Sequence, residues 1–226
     1  MTRNLLPALL SFNAGYVDTI GFLALGGLFT AHVTGNFVTL GAAAAFGSSG
    51  IISKLLALPV FCIAVVLARA LSMRFFTPDR RAFHVLLVVM LALLAIAAAE
   101  AMVLGPFPHG DNPGAILTGM TMILAMAIQN VVQRTHFSKF PPATLMTGTT
   151  TQIMIDTADL ISGQAGNRKP EVVARMRMMG KSLLSFAIGC LLAALAYVEI
   201  GLIAFLLPPL VALAAVLRFD REVPVA

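Results

Sequence analysis

The chain has 226 residues, of which 59% are hydrophobic and only 11% are charged. Soluble domains average about 25% charged residues, so this composition excludes a soluble enzyme, a disordered chain, a coiled coil and a disulfide-stapled secreted module. The net charge of +5 does not indicate nucleic-acid binding, because Lys and Arg lie mostly between apolar stretches, as the positive-inside rule expects. We therefore predict an all-α integral membrane protein, a polytopic helical bundle that forms one domain over residues 1–226.

Apolar segments follow one another along the chain, and they span residues 5–29, 33–47, 51–73, 83–104, 115–133, 143–163 and 182–217. A bilayer core of about 30 Å needs about 20 helical residues. The last segment is long enough for two crossings, and residues 197–201 are the expected turn between them. Segment 33–47 is short for a crossing and runs into a stretch rich in Gly and Ser.

The positions of the basic residues select among topologies. Eight crossings would place loop 72–82, Arg134 and Lys139 outside, against the positive-inside rule. If residues 5–47 make one net crossing and residues 115–163 another, nearly all loop and terminal Lys and Arg are cytoplasmic and Lys54 alone is outside. We therefore expect about six net crossings, two interrupted or re-entrant helical segments and both termini in the cytoplasm. Eight crossings remain the alternative.

The two unusual segments resemble each other. In the first, Asp18 lies in an apolar helix, and Thr34-Gly35-Asn36 begins sixteen residues later. In the second, Asn130 is followed seventeen residues later by Thr147-Gly148-Thr149. This pattern favours an inverted 3+3 repeat, with halves over about 5–104 and 115–218, as in many secondary transporters. The alternative is a chance likeness between helices rich in small residues.

A helix that begins inside the bilayer leaves its first N–H groups unpaired, and lipid cannot pair them. Two such starts facing each other across the midplane would attract an anion or a carbonyl-rich solute. Thr34 and Thr147 are the expected N-caps. The predicted substrate-binding residues are Thr34, Gly35, Asn36, Thr147, Gly148, Thr149, Asp18, Asn130 and His32. The alternative is a pair of Thr-Gly packing turns without a ligand.

Ionisable residues inside apolar segments each need a reason, since one at bilayer depth costs about 2.5–3.5 kcal/mol on insertion scales. Asp18 is expected to couple a proton or cation, to pair with a buried Arg, or to lie in water near a helix end. His32 is expected to be a titrating group near the site or a hydrogen-bonded structural residue.

Other charged residues have plainer interpretations. Arg69 is expected to extend to the interface along its aliphatic stem. We expect Arg134, His136 and Lys139 in the second irregular stretch, as a positive vestibule or as ordinary interface cations. Two further expectations concern acidic residues: Asp156 and Asp159 form local ion pairs, and Glu100 and Glu199 lie in water.

The sequence lacks the motifs of common enzymes, including those of serine hydrolases, zinc proteases, P-loop proteins and dinucleotide-binding domains. Cys62 and Cys190 lie in separate apolar runs without metal-ligand spacing. We therefore expect no enzymatic activity, no cofactor and no metal site. An intramembrane enzyme acting on lipid is the weakest alternative, and it would need a polar cleft open to one leaflet.

The residues Phe12-Asn13-Ala14-Gly15-Tyr16-Val17-Asp18-Thr19-Ile20-Gly21-Phe22, followed by Thr30-Ala31-His32-Val33-Thr34-Gly35-Asn36, resemble the YoaK-like family of bacterial inner-membrane proteins, a domain of unknown function. The later Ala127-Ile128-Gln129-Asn130 and Met146-Thr147-Gly148-Thr149 resemble its second characteristic region. The resemblance implies a multi-pass protein of the bacterial inner (cytoplasmic) membrane with about six spans. It brings no substrate and no binding residues.

We therefore expect a small secondary transporter or permease for a small solute, with an anion as one candidate, and a midplane site at two half-helix starts. Its partners are then the lipid bilayer and a small-molecule solute, with no nucleic acid. A homodimer is compatible with the sequence. The alternative is a membrane assembly or sensor protein that transports nothing and has a tightly packed midplane.

Overall fold

The computed structural model describes residues 5–75, 79–137 and 146–222, and this part of the chain contains helices and their connections but no strand. The helices are α1 (Leu5–Ala24), α2 (Gly35–Phe46), α3 (Ile51–Phe75), α4 (Asp79–Leu104), α5 (Pro113–His136), α6 (Met146–Ile161), α7 (Lys169–Ile200) and α8 (Leu207–Glu222). Short 3₁₀ helices at Gly166–Arg168 and Gly201–Leu206 precede α7 and α8. The all-helical prediction is confirmed.

Within the described residues, four helical stretches are long and apolar enough to cross a bilayer, namely Ile51–Arg74, Arg81–Leu104, Pro113–His136 and Gly166–Phe219. The last contains both α7 and α8, which separate at Gly201, where φ is +57°. This break lies at the end of the turn predicted for residues 197–201. The short apolar helix predicted within 33–47 is α2. These helices are those of an integral membrane protein.

Helices α1 and α5 form the centre of the bundle. Most of their side chains are buried, and α1 packs against α7, α8 and α5, while α5 packs against α4 and α3. At their contact, Asn13 Nδ2 donates to Gln129 Oε1 at 3.0 Å, and Gln129 Nε2 donates to the Leu10 carbonyl at 2.9 Å. The outer helices expose large apolar side chains such as Phe37 and Phe46, as lipid-facing helices do.

Loop contacts identify the two ends of the bundle. At the glycine end, which we define by Gly26, Gly50 and Gly110, a Cβ on Gly110 would come within 2.8 Å of the Gly50 Cα. At the aromatic end, defined by Phe83, His136, Phe137 and Phe219, the Phe83 ring lies 4.6 Å from His136 and 4.4 Å from Phe219. Since α1 ends and α3 and α5 begin near the glycines, α1 runs toward that end while α3 and α5 run away from it.

Helices α4, α7 and α8 also have defined directions. The residue after α4, Gly105, contacts Leu202, which follows α7, so both helices end near the glycine end. Phe219 near the end of α8 meets Phe83 near the start of α4. Helices α4 and α7 therefore run toward the glycine end, and α8 runs away from it.

Two predicted boundaries are wrong. The basic loop expected over 164–181 is largely helical, because α7 begins at Lys169 with Pro170 in its first turn, where the missing N–H is harmless. Arg134 and His136 lie in the last turn of α5 and not in an irregular stretch. The irregular residues expected at 138–142, including Lys139, fall outside the described residues.

Candidate functional site

The chain turns back into the bundle directly after α1. Gly26 and Gly27 have φ values of +67° and +79°, which glycine adopts without the strain of a Cβ. Residues 28–33 then run beside the last turns of α1, where Thr30 is fully buried and its hydroxyl donates to the Val17 carbonyl at 3.1 Å. This segment, residues 25–34, is the re-entrant loop that leads into α2.

Asp18 anchors the re-entrant loop. Its Oδ1 atom accepts hydrogen bonds from the backbone N–H groups of Thr30, Ala31 and His32, at 2.8, 2.8 and 3.1 Å. The residue is only 5% exposed, and three donors on one oxygen compensate the burial of a carboxylate. Asp18 therefore holds the loop against α1, and it does not line the cavity described below.

Asn36 holds the other side of the loop. Its Oδ1 accepts from the Phe29 N–H at 2.9 Å, and its Nδ2 donates to the Phe29 carbonyl at 2.7 Å. The side chain is buried. A Cβ on Gly35 would lie 2.9 Å from the Phe29 ring, so glycine lets the ring pack there. Gly35 and Asn36 are thus placed as loop-forming residues.

The first amides of α2 are already paired. They donate to carbonyls of the preceding turn, in the pairs Gly35–His32, Asn36–Val33 and Phe37–Thr34, at 2.8, 3.1 and 3.2 Å. Thr34 occupies the N-cap position, but its side chain makes no capping bond. The prediction that these amides point at a solute is wrong for α2, because a tight turn satisfies them.

The second predicted start lies elsewhere. Thr147 is a residue inside α6 and not its N-cap, Thr147 and Gly148 are exposed, and Thr149 is buried. Helix α6 packs against α7, whereas α2 packs against α3, and the described parts of α2 and α6 share no contact. The structure therefore does not bring the two Thr-Gly starts together.

A cavity of about 430 Å³ lies between the re-entrant loop, α3 and α5. Its lining residues are Ala31, His32, Val33 and Thr34 from the loop, Leu58, Phe61, Val65 and Arg69 from α3, and Asn130, Val131, Arg134 and Thr135 from α5. Three predicted site residues, His32, Thr34 and Asn130, thus share one cavity. The lining residues of α3 follow helical spacing on one face, and Leu58 to Arg69 covers about 16 Å of helix.

Two arginines line this cavity, one from each of two helices. Arg69 lies near the end of α3 and Arg134 near the end of α5, and both side chains are exposed. Neither forms an ion pair with any residue that the structure describes. Their common site was not predicted from the sequence. The helical spacing that puts Arg69 on one face of α3 with Leu58, Phe61 and Val65 was visible there. The cavity can therefore offer guanidinium groups to an anion.

At the glycine end, a side chain from a distant loop caps the start of α3. Asp111, in the loop before α5, accepts the N–H groups of Gly50 and Ile51 on Oδ2 and of Ile52 and Ser53 on Oδ1, at 2.8–3.3 Å. Burial raises the pKa of Asp111, but these four bonds lower it more, so the pKa lies below its ordinary value. The carboxylate thus satisfies the unpaired amides at the start of α3.

At the same end, Lys54 links two helices through hydrogen bonds. It is 5% exposed, and its Nζ donates to the carbonyls of Gly26 and Ser49, at 2.8 and 3.2 Å. The lysine therefore joins the start of α3 to the end of α1. From the sequence, Lys54 is expected simply as a cation outside the membrane.

Helices α1 and α7 cross in close backbone contact. A Cβ on Gly15 would overlap the Phe186 carbonyl oxygen, and a Cβ on Gly189 would overlap the Phe12 carbonyl oxygen. Only glycine at these positions allows the two backbones to approach so closely. The α1–α7 contact is therefore tight where the α3–α5 contact leaves space.

Among the acidic residues, Asp156 forms a bidentate ion pair with Arg175, at 2.6 and 2.9 Å, which confirms the predicted local pairing for Asp156. No such pair of Asp159 occurs among the described residues. The prediction of a water-exposed Glu100 is wrong for one of its oxygens. Its Oε1 accepts from Thr121 at 3.2 Å, while Oε2 is buried and has no hydrogen-bond partner in the part of the chain that the structure describes. The described residues contain no group of three or more His, Cys, Asp and Glu side chains that could hold a metal ion.

Comparison with known proteins gives a family and no function. The model of the family described as "protein of unknown function (DUF1275)" matches residues 6–218. The chain is 30% identical over 203 residues to the UPF0700 transmembrane protein YoaK of Bacillus subtilis (strain 168), covering 86% of this chain and 84% of that protein. No solved structure matches the chain. The membrane-spanning helices and the family match over nearly the whole length agree, and the chain belongs to the DUF1275 family of transmembrane proteins of unknown function.

Proposed function

We propose that this protein is a small secondary transporter or permease for a small anionic solute, which binds in the cavity between the re-entrant loop, α3 and α5. The observation that carries the proposal is the pair Arg69 and Arg134 on the wall of a cavity of about 430 Å³, without an ion-pair partner among the described residues. Unpaired cations in membrane helices are expensive, and they are found where a solute or ion passes.

We further propose an inverted 3+3 repeat, and the contacts between helices support it. If α1 to α4 are exchanged with α5 to α8, the contacts of α1 with α7, α2 with α3 and α4 with α5 become those of α5 with α3, α6 with α7 and α8 with α1, and all of these contacts occur. The exchanged helices also run in opposite directions, since α1, α4 and α7 run toward the glycine end and α5, α8 and α3 run away. Two inverted halves with three net crossings each give six crossings.

The two halves differ in one respect that suits alternating access. The α1–α7 crossing is tight at Gly15 and Gly189, whereas the corresponding α5–α3 pair leaves the cavity. The glycine end is closed by Asp111 and Lys54. We propose that the cavity opens toward the aromatic end in this state. In the other state of the transport cycle, α3 and α5 would be in tight contact and α1 and α7 would enclose the cavity.

The helix directions and the positions of basic residues support a membrane orientation. Basic residues gather where α3 ends and where α7 begins, at Arg74, Arg168, Lys169, Arg175 and Arg177. By the positive-inside rule, we propose that the aromatic end and both termini are cytoplasmic, and that the protein lies in the inner membrane of a bacterial cell. A homodimer stays a prediction, and the mass of the protein in lipid nanodiscs tests it.

Uptake into proteoliposomes tests the function. Purified protein is reconstituted, and the uptake of a panel of labelled organic and inorganic anions is measured against protein-free vesicles. We expect saturable uptake of at least one anion, and its loss in Arg69→Gln and in Arg134→Gln. The matched control is Arg177→Gln, which removes an exposed arginine that lies outside the cavity. Uptake that is equal in all three variants would contradict the site.

The alternative function is a membrane assembly or sensor protein. Its supporting observation is the paired state of Asp18 and Asn36, which act here as parts of the loop. A sensor would bind an anion at the arginines without moving it. Binding without uptake by any reconstituted preparation would favour this alternative.

A further inference from the structure

We propose that the cavity selects organic monoanions with an apolar body, of the class of medium-chain carboxylates. Their acid group binds at Arg69 and Arg134, and their apolar part lies against the wall between those arginines and the re-entrant loop. This inference rests on the proposed function, which requires only a small anionic solute.

The distribution of polarity along the cavity carries the inference. The arginines lie near the ends of α3 and α5, and Leu58, Phe61 and Val65 continue along the same face of α3 toward the glycine end. The loop and α5 add further apolar side chains to the lining, among them Val33 and Val131. A ligand that reaches both regions must therefore carry its charge at one end only.

The apolar wall disfavours small hydrophilic anions. Such an anion would bind the guanidinium groups. It would also lose its hydration water and contact alkyl and aromatic side chains instead. Asn130 Nδ2 already donates one of its two N–H groups to the Met126 carbonyl at 2.9 Å. An anion with an alkyl or aryl body instead buries that body against the wall, which is favourable.

The dimensions agree with a small amphiphile. A volume of about 430 Å³ lies within the range of about 300–1,000 Å³ that small-molecule sites occupy. The lining face of α3 is about 16 Å long by helical rise. Arginine suits the acid end, because its planar fork matches carboxylate and phosphate oxygens.

A ligand of this chemistry can reach the cavity from two sources. It can be a carboxylate from water or an anionic lipid from the bilayer. Binding is measured with an engineered fluorescent residue, because the chain contains no Trp. Phe61→Trp places a single indole in the wall of the cavity. The probes are octanoate, acetate, octylamine and inorganic phosphate, and each is titrated in nanodiscs of phosphatidylcholine alone and with one third phosphatidylglycerol.

We expect saturable fluorescence changes with octanoate, and binding at least about tenfold weaker for acetate, phosphate and octylamine. Arg69→Gln and Arg134→Gln should each weaken octanoate binding about tenfold or more, and Arg177→Gln should leave it unchanged. If phosphatidylglycerol competes with octanoate, the bilayer supplies the same class of ligand. If it does not compete, the ligand comes from water. Calorimetric titration of the unaltered protein with the same probes guards against a misfolded Phe61→Trp variant.

Other results would overturn the inference, and they can be told apart from a failure of the proposed function. Tighter binding of phosphate or acetate than of octanoate would refute the amphiphile and leave anion transport standing. Octanoate binding that depends on both arginines, without uptake in vesicles, would refute transport and leave the ligand class standing. Equal binding of octylamine and octanoate would show that the arginines play no part and would refute the inference.

Discussion

Asp18 provides the sharpest test of the difference between a loop anchor and a solute or proton site. In Asp18→Asn, one oxygen still accepts the amides of Thr30, Ala31 and His32, but the charge that strengthens these bonds is lost. Bonds to charged groups contribute about 1.5–3 kcal/mol and neutral ones about 0.5–1.5 kcal/mol. Because all three share one oxygen, we expect a loss of about 2 kcal/mol.

Asp18→Ala removes the acceptor altogether. Buried amides left without a partner cost about 1–3 kcal/mol each, so we expect a loss of about 4 kcal/mol for the group after partial rearrangement. At about 2–4 °C per kcal/mol for a chain of this size, the midpoint of thermal unfolding in nanodiscs should fall by about 4–8 °C in Asp18→Asn and by about 8–16 °C in Asp18→Ala.

The control is Asp159→Asn. The Asp159 side chain forms no hydrogen bond among the described residues, so this substitution should shift the midpoint by less than about 2 °C. The unfolding midpoint and the uptake rate are measured on the same samples. If Asp18→Asn leaves the midpoint unchanged but abolishes uptake or its pH dependence, Asp18 is a coupling residue and the anchoring role is refuted.

Three further predictions concern packing and charge. Asp111→Asn should lower the unfolding midpoint at pH 7 by about 3–8 °C, since one amide oxygen replaces two carboxylate oxygens at four N–H groups. Because the folded-state pKa of Asp111 is lowered, this stabilisation is present above its ordinary pKa of 3.8 and is lost as the pH falls through the lower folded-state value. The variant should therefore approach the unaltered protein in that acidic range, and a constant difference would contradict the cap. Gly189→Ala should separate α1 from α7 and cost about 1–3 kcal/mol, whereas Gly180→Ala, with open space at its Cβ, should be neutral or stabilising in thermal unfolding. Arg175→Gln leaves the buried Asp156 carboxylate without its partner and should cost about 1–3 kcal/mol by the same measurement, and an unchanged midpoint would show that the pair contributes nothing.

Part of the fold was predictable because bilayer physics acts on local sequence. Segment 33–47 is too short to span, and the structure forms α2 there. Residues 182–217 are too long for one crossing, and the chain breaks at Gly201. The start of α7 was missed because a basic stretch that leaves the bilayer can be a loop or a continuing helix with the same composition, and Lys169 to Lys181 form the latter.

The site was only partly predictable, because its partners come from distant segments. Asp18 was recognised as costly, but its three amide donors lie twelve to fourteen residues away in a loop with no regular pattern. Arg69 was placed correctly near the end of its helix. Its place beside Arg134 depends on which faces of α3 and α5 meet, and hydrophobicity does not specify that when both helices are apolar all round.

Cysteine accessibility at Thr34 tests the central claim most directly. Cys62 and Cys190 are replaced by Ser, Thr34 is replaced by Cys, and a charged thiol reagent is applied separately to each side of oriented membrane vesicles. We predict labelling from the side of the aromatic end, and slower labelling when a bound anion occupies the cavity. No labelling from either side, or a rate unaffected by any anion that binds, would contradict a solute site in this cavity.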